Sequence, residues 1–322
     1  MARIAVVGAG AIGQFYAAQF ILAGHDVRLV ARRDLGLLRE RGMHVFQEPT
    51  ESIASSLTRR ELRLRPTEFR TCADGQQANV GGVDWCLLAM KTTNLAAAPA
   101  LCRPLIEAGA GLVVLMNGLG VEDLCAAWCP PERIWGMLCF ICVNRDEDGT
   151  IRHLAHGQVG VGHFLDQVNA QERLGQLVDS AGISRITPPC LLEARWRKLA
   201  WNIPFNGLSV AGGGRGRTTK QILDNPDIRQ RCEQIVRETI RIGNADLAQH
   251  GRTERIDEDE WTLEQIRRTD EMGDYQTSTL LDWRARLPLE IDAMFHEPLR
   301  RAHRLGVTVP ALERMVAELP AT

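Results

Sequence analysis

The first seventeen residues constrain the fold of this 322-residue chain more than any other stretch. An apolar run from Arg3 to Val7 is typical of a buried strand, and the residues after Gly13 are apolar with a helical period. Between them lies a turn with the spacing G-x-G-x-x-G, which reads Gly8-Ala9-Gly10-Ala11-Ile12-Gly13. Strand, glycine turn and helix in this order predict a pyrophosphate site: Gly8 permits the tight turn, Gly10 admits the ligand, and Gly13 lets the helix pack closely. Free N–H groups at the start of the helix would bind the phosphates.

The overall composition limits the classes of partner and the compartment. The formal net charge of −2 gives no reason to expect a nucleic acid or a membrane surface as partner. No apolar run reaches membrane-spanning length, and the first one is too short for a signal peptide, so we expect a cytoplasmic protein. The nine cysteines include no second ligand pair at a zinc-site spacing, which favours packed free thiols over a metal site.

Strands and helices alternate through the first half of the chain. The predicted strands after the first are Val27–Val30, Asp84–Met90, Leu112–Met116 and Trp135–Val143. This alternation predicts a parallel, doubly wound sheet, in which ligands bind beyond the carboxyl ends of the strands. Gly8, Arg32, Lys91 and Asn117 all follow strand ends and are therefore candidate site residues.

The residues after the second strand indicate which dinucleotide is preferred. A fold that binds NAD carries an acidic residue roughly twenty residues beyond the glycine turn, where it holds the ribose hydroxyls. This chain has Arg32 and Arg33 there, and a cationic pair suits the 2′-phosphate of NADP. Asp34 follows directly and leaves NAD open as an alternative.

The second half of the chain has a different pattern. Thr150–Leu154 and Gln158–Phe164 predict a hairpin or two paired strands, and a short last strand ends at Thr187. Pro188-Pro189 interrupts the chain, and everything beyond has helical periodicity. We therefore expect two domains, residues 1–187 and residues 188–322.

The helix predicted over Leu191–Val210 carries a polar stripe. Lys198, Asn202 and Asn206 are spaced four apart, which places them on one face of a helix. Polar groups amid so much apolar surface are costly unless they have a partner. Further on, Pro288 is expected to be the first residue of another helix, with Glu290 in its first turn.

Taken together, these pieces resemble the ketopantoate reductase (2-dehydropantoate 2-reductase) family along nearly the whole chain. The pieces that carry the resemblance are the glycine turn through Gln14, Lys91, Asn117-Gly118-Leu119-Gly120, Trp196 to Asn206, Ser278 to Asp282 and Glu290-Ile291-Asp292. Their joint spacing is far more specific than any one of them.

The resemblance implies an N-terminal Rossmann-type domain, a helical C-terminal domain like that of 6-phosphogluconate dehydrogenases, and NADPH/NADP as cofactor. It makes Lys198 the general acid in the reduction of a 2-keto acid. It assigns substrate contacts to Asn117, Asn202, Asn206, Ser278 and Glu290. It assigns cofactor contacts to the glycine turn, Arg32, Lys91 and Asn117.

The chain departs from the family pattern at a few positions near these residues. Phe295 and His296 stand where Asn-Gly is usual, and Trp201 stands where a smaller residue is common. The alternatives are a reductase of another branched or aromatic 2-keto acid, a non-catalytic NADP-binding sensor, and an oxidative dehydrogenase of a phosphorylated sugar. The sequence is compatible with a monomer or a homodimer.

Overall fold

The computed structural model describes residues 1–48 and 58–320, which form two compact units. The described residues of the first unit are 1–48, 58–116 and 121–191, and those of the second unit are 117–120 and 192–320. Residues 49–57 and 321–322, which the predicted domains include, lie outside the described residues. The functional domain boundary between Thr187 and Pro188 stays a prediction.

The first unit is a sheet flanked by helices. Its strands are β1 Arg3–Val7, β2 Asp26–Val30, β3 Met43–Gln47, β4 Arg60–Leu64, β5 Arg70–Cys72, β6 Trp85–Leu88, β7 Gly111–Val114, β8 Ile134–Arg145, β9 Ile151–His163 and β10 Arg185–Ile186. Its helices are α1 Ala11–Leu22, α2 Leu35–Arg41, α3 Gly75–Ala78, α4 Ala98–Glu107, α5 Val121–Ala126 and α6 Val168–Ser180, with 3-10 turns at Thr92–Ala97 and Pro131–Arg133.

The strand order is β4-β3-β9-β8-β7-β6-β1-β2-β5, and β10 pairs with β9. Only the pairs β3–β4 and β8–β9 are antiparallel among the described strands. The predicted α/β class and its Rossmann-type sheet are confirmed.

The register of the central strands brings three strand ends to one level. Val7 at the end of β1 is paired with Val30 of β2 on one side and with Leu88 of β6 on the other. Gly8 N donates to Val30 O at 3.1 Å, and Ala89 N donates to Val7 O at 2.9 Å. The loops that carry the glycine turn, Arg32 and Lys91 therefore begin side by side at the carboxyl edge of the sheet.

The predicted hairpin between Thr150–Leu154 and Gln158–Phe164 is wrong. These residues form the single strand β9, which pairs antiparallel with β8 along its whole length. His156 and Gly157 have positive φ values of 63° and 127°, and the register shifts at this point. His156 and Gly157 thus form a local irregularity in β9, and the backbone continues in the same strand instead of folding back.

The second unit is built from helices, as predicted. They are α7 Leu191–Val210, α8 Thr219–Leu223, α9 Pro226–Gln249, α10 Glu258–Met272, α11 Ser278–Arg284, α12 Glu297–Arg304 and α13 Pro310–Ala317. The core of the unit surrounds α7, whose Trp196, Ile203 and Phe205 are fully buried. Apolar burial of this kind stabilises each side chain by about 1.5–3 kcal/mol, which holds α7 as the central helix.

The helix expected to begin at Pro288 begins later. Residues 287–290 are not helical, Ile291 starts the helix, and a π-helical turn spans Asp292–His296 before α12. Glu290 therefore precedes the helix rather than occupying its first turn, although its carbonyl accepts a hydrogen bond from Met294 N at 3.2 Å. The wider π-helical turn presents the Ala293 carbonyl to Leu119 N, a contact that a sequence pattern does not encode.

Three chain-wide features bear on the classes of function considered above. All nine cysteines are free and buried. Within the described residues no helix is long and apolar enough to cross a membrane. The same part of the chain contains no cluster of three or more histidine, cysteine or acidic side chains suited to a metal ion.

Candidate active site

The three motif glycines have distinct structural roles. A Cβ atom on Gly8, whose φ is +115°, would lie 2.7 Å from Ala89 O, and one on Gly13 would lie 1.9 Å from Gly8 O. A Cβ on Gly10 would meet no atom within 4 Å. Gly8 and Gly13 are thus required for close packing of the turn, whereas Gly10 leaves open space beside the start of α1. That open space is what a bound pyrophosphate needs.

The N-terminus of α1 has backbone N–H groups that can bind an anion. Gly10 occupies the cap position, where no side chain satisfies the first backbone N–H groups. The N–H groups of Ala11, Ile12 and Gly13 have no acceptor inside the helix because they belong to its first turn. Gln14 is buried, and its Nε2 donates to Ala9 O at 2.7 Å, which stabilises the conformation of the glycine turn. The residues present therefore fit the phosphates of a dinucleotide.

Arg32 and Asp34 follow β2 but differ in their partners. Arg32 is exposed, and its guanidinium has no hydrogen-bond or ion-pair partner within residues 1–48 and 58–320. Asp34 Oδ1 accepts a hydrogen bond from Arg145 Nη2 at 2.8 Å. The acidic residue that left NAD open is therefore already engaged by Arg145.

Lys91 lies just beyond β6, at the same edge of the sheet as Gly8. It is half-buried, and its carbonyl accepts a hydrogen bond from Asn94 N at 2.9 Å at the start of the 3-10 turn. A Cβ atom on Gly8 would lie 2.9 Å from Met90 N, which places the backbone before Lys91 against the glycine turn. The predicted cofactor residues of the first unit thus share one edge of the sheet.

Lys198 is the first residue of the polar stripe in the second unit. It is half-buried, and its Nζ donates to Asn117 Oδ1 at 2.8 Å. The helix that carries it is held in place by the neighbouring Trp196, whose Nε1 donates to Asp246 Oδ2 at 2.9 Å. Arg301 Nη1 donates to the same oxygen at 2.7 Å, so α7 and α12 are both tied to α9.

The two asparagines of the stripe are almost completely buried. Asn202 is 7% exposed and Asn206 is 3% exposed. Asn206 Oδ1 accepts a hydrogen bond from Thr279 N at 3.4 Å, which ties α7 to the start of α11. The amide of Asn202 has no hydrogen-bond partner among the described residues. The amide can therefore bond to a ligand without giving up a protein partner.

The short segment 117–120 belongs to the second unit, although its neighbours in sequence belong to the first. Leu119 N donates to Ala293 O at 2.9 Å, and a Cβ atom on Gly118, whose φ is +96°, would lie 2.6 Å from Ala293 Cβ. Sequence reasoning missed this anchor, for which the only signal is the pair of glycines in Asn117-Gly118-Leu119-Gly120. The anchor holds Asn117 beside Lys198.

The π-helical turn that forms this anchor carries a fixed charge. Arg300 Nη1 donates to Asp292 Oδ1 at 2.8 Å, and this hydrogen bond holds the pKa of the Asp292 carboxyl below its ordinary value. Asp292 therefore stays ionised near neutral pH.

Ser278 and Glu290 both lie in the second unit. Ser278 is exposed at the first position of α11, next to the cap residue Thr277, whose Oγ1 accepts from Leu280 N at 3.2 Å. Glu290 is half-buried just before the helix that begins at Ile291. Their assignment to the substrate stays a prediction.

The residues that depart from the family pattern have structural partners. Trp201 stacks on Phe205 with ring centroids 5.1 Å apart, and its Nε1 donates to Thr269 Oγ1 at 2.9 Å. Phe295 is fully buried, and His296 lies near the surface beside Asp292.

Arg217, after the Gly212–Gly214 turn, is occupied as well. Its Nη1 donates to Ala211 O at 2.9 Å and to Leu208 O at 3.2 Å. These carbonyls end α7, so Arg217 caps that helix. The glycine-rich segment is therefore best described as an inter-helix connection.

A dinucleotide turn on a Rossmann-type sheet and a lysine–amide pair on a helical unit define a nucleotide-dependent oxidoreductase. Residues 4–166 match the family described as "Ketopantoate reductase PanE/ApbA", and residues 191–321 match its C-terminal counterpart. The chain belongs to this family, which uses NADPH.

Individual relatives cover nearly the entire chain. A 2-dehydropantoate 2-reductase from Nostoc sp. is 31% identical, with 98% of this chain and 94% of the relative covered. The crystal structure of 2-dehydropantoate 2-reductase from Geobacter metallireducens has 33% identity, a TM-score of 0.86 and 98% coverage of both chains. That of the Methylococcus capsulatus enzyme has 28% identity and a TM-score of 0.79, with 98% and 94% coverage.

Proposed function

We propose that this protein reduces ketopantoate to pantoate with NADPH, a step of pantothenate biosynthesis. Membership of the ketopantoate reductase family supports the reaction class. The observation that carries the proposal for this chain is the hydrogen bond from Lys198 Nζ to Asn117 Oδ1. Lys198 lies on the same helix face as Asn202, whose amide has no hydrogen-bond partner among the described residues.

The cofactor is assigned to residues 1–187 and the substrate to residues 188–322. The glycine turn Gly8 to Gly13 would hold the phosphates, and Arg32 would hold the 2′-phosphate. Lys91 and Asn117 would face the nicotinamide and the reacting carbon. NADPH, when bound, supplies the hydride for the ketone carbon.

Lys198 is the proton donor in this account. As the ketone carbon is reduced, negative charge builds on the ketone oxygen, which needs a donor within hydrogen-bond reach. The ammonium group of Lys198 gives up the proton, and its charge also stabilises the developing alkoxide. Asn117 Oδ1 accepts one N–H of Lys198 and so fixes the direction of Nζ.

The substrate needs partners for a carboxylate and for a terminal hydroxyl as well as for the ketone. The exposed hydroxyl of Ser278 can donate to the carboxylate, and the carboxylate of Glu290 can accept from the substrate hydroxyl. The amides of Asn202 and Asn206 can do either. Because Trp201 and Phe295 pack within the helical unit, we propose that they leave this set of contacts intact.

The alternatives make different predictions for turnover. A reductase of another branched or aromatic 2-keto acid would show its highest kcat/KM with that acid in a panel that includes ketopantoate. A non-catalytic sensor would bind NADPH and turn over none of the acids. A phosphorylated-sugar dehydrogenase would reduce NADP in the presence of its sugar phosphate.

The assembly and the compartment belong to the proposal too. We propose a monomer or a homodimer in the cytoplasm, with no nucleic-acid or membrane partner. The nine free and buried thiols support a reducing compartment.

We expect NADPH to bind roughly tenfold to a few hundredfold more tightly than NADH, because Arg32 can form one or two charge-assisted hydrogen bonds to the 2′-phosphate. Arg32→Ala should remove most of this preference and leave the affinity for NADH nearly unchanged. Titration of parent and variant with both cofactors measures the effect. Equal affinities in the parent protein would refute the assignment of Arg32.

A further inference from the structure

We propose that Arg145 is a specificity-determining residue for the cofactor, because its ion pair with Asp34 keeps that carboxylate away from the nucleotide. This inference rests on the proposed role of Arg32 at the 2′-phosphate. Arg145 is 111 positions away from Asp34 in sequence and belongs to no dinucleotide motif.

The pair is made by a close contact between two partly buried side chains. Arg145 Nη2 and Asp34 Oδ1 are 2.8 Å apart, and the two side chains are 30% and 23% exposed. Asp34 precedes α2 at the position where an aspartate usually accepts a hydrogen bond from the helix N–H groups, yet its side chain makes no such bond. Its carboxylate is instead engaged by Arg145.

The turn between β8 and β9 brings Arg145 to this place. Arg145 is the last residue of β8, and the turn after it ends at Gly149, whose φ is +91°. A Cβ atom on Gly149 would lie 2.5 Å from Leu37 Cδ2, so the turn lies directly against α2. The positive φ of Gly149 and its closeness to Leu37 therefore place the end of the hairpin beside α2, where Arg145 reaches Asp34.

The charges at the end of β2 explain how the ion pair between Arg145 and Asp34 affects the choice between NADPH and NADH. Three charged residues, Arg32, Arg33 and Asp34, follow in sequence. An unpaired carboxylate there would repel a 2′-phosphate and could accept hydrogen bonds from the ribose hydroxyls of NADH. With Asp34 bound to Arg145, the cationic pair remains the dominant charge, which selects NADPH.

The test is a double-mutant cycle on cofactor affinity, measured by titration without any keto acid. Arg145→Met should lower the ratio of NADPH to NADH affinity by about tenfold, since it frees the Asp34 carboxylate. Asp34→Asn in the Arg145→Met background should restore the ratio to the parental value. Arg152→Met is the matched control, because Arg152 lies on the same hairpin but pairs with Asp146 and Glu48.

The outcomes separate this inference from the proposed function. An unchanged ratio in Arg145→Met, with a parent that prefers NADPH, overturns the role of Arg145 and leaves the proposed function standing. An equal loss of both affinities, or a loss that Asp34→Asn does not reverse, shows a purely structural arginine and also overturns it. A parent without any preference for NADPH refutes the role of Arg32 and this inference with it.

Discussion

Lys198→Ala should lower kcat by about 10²- to 10⁴-fold while the affinity for NADPH stays close to the parental value. The physical reason is that Lys198 is the group placed to protonate the ketone oxygen, whereas the phosphate-binding turn lies on Gly8 to Gly13. The loss should appear in kcat and in kcat/KM alike, because a proton donor acts on the transition state more than on the bound ketone.

The matched control for this prediction is Lys220→Ala. Lys220 is an exposed lysine in α8 of the same unit, and its Nζ pairs at 2.7 Å with Asp224, which follows that helix. This variant should keep parental turnover. A folded Lys198→Ala protein that also keeps near-parental kcat would make Lys198 a structural lysine and would remove the proposed mechanism.

Gly118→Ala should lower kcat/KM by about tenfold to a thousandfold. Alanine at a φ of +96° costs about 1–2 kcal/mol, and its Cβ would lie 2.6 Å from Ala293 Cβ, which adds about 1–3 kcal/mol of overpacking. The segment must shift to relieve this contact, and the shift moves Asn117 away from Lys198. A misplacement of about 1 Å in a group near the chemistry can cost on the order of a hundredfold in rate, which is the middle of the expected range.

Two further variants isolate the cause. Gly212 also has a positive φ, +75°, but a Cβ there meets no atom within 4 Å, so Gly212→Ala should keep parental turnover. Adding Ala293→Gly to Gly118→Ala removes one of the clashing atoms and should recover part of the lost kcat/KM. Parental kcat/KM in Gly118→Ala would show that this segment does not position Asn117.

Local signals in the sequence predicted the parts of the site that local physics determines. Gly8 and Gly13 were predictable because a tight turn and a close helix approach leave no room for a Cβ atom there. Gly10 was predictable because a bound pyrophosphate needs open space at that position. The stripe of Lys198, Asn202 and Asn206 follows from helical periodicity alone. The α/β class was predictable for the same reason, since alternating strands and helices bury their apolar faces in few ways.

Contacts between distant residues were beyond sequence reasoning. The anchor between Leu119 and Ala293 depends on a π-helical turn, which has no sequence rule. The ion pair of Asp34 and Arg145 depends on the length of the β8–β9 hairpin, whose turn lies against α2. The error at Pro288 has a different origin: a proline is compatible with a helix start but does not fix one, and this helix begins at Ile291.

The central claim, reduction of ketopantoate with NADPH, is tested most directly by steady-state rates with ketopantoate and with ketoisovalerate, which lacks the terminal hydroxyl. Buried groups built to bind a hydroxyl are left unpaired by an analogue without one and discriminate strongly against it. We expect NADPH-dependent formation of pantoate, with kcat/KM for ketopantoate on the order of a hundredfold or more above that for ketoisovalerate. A higher kcat/KM for ketoisovalerate, or no turnover of ketopantoate, would contradict it.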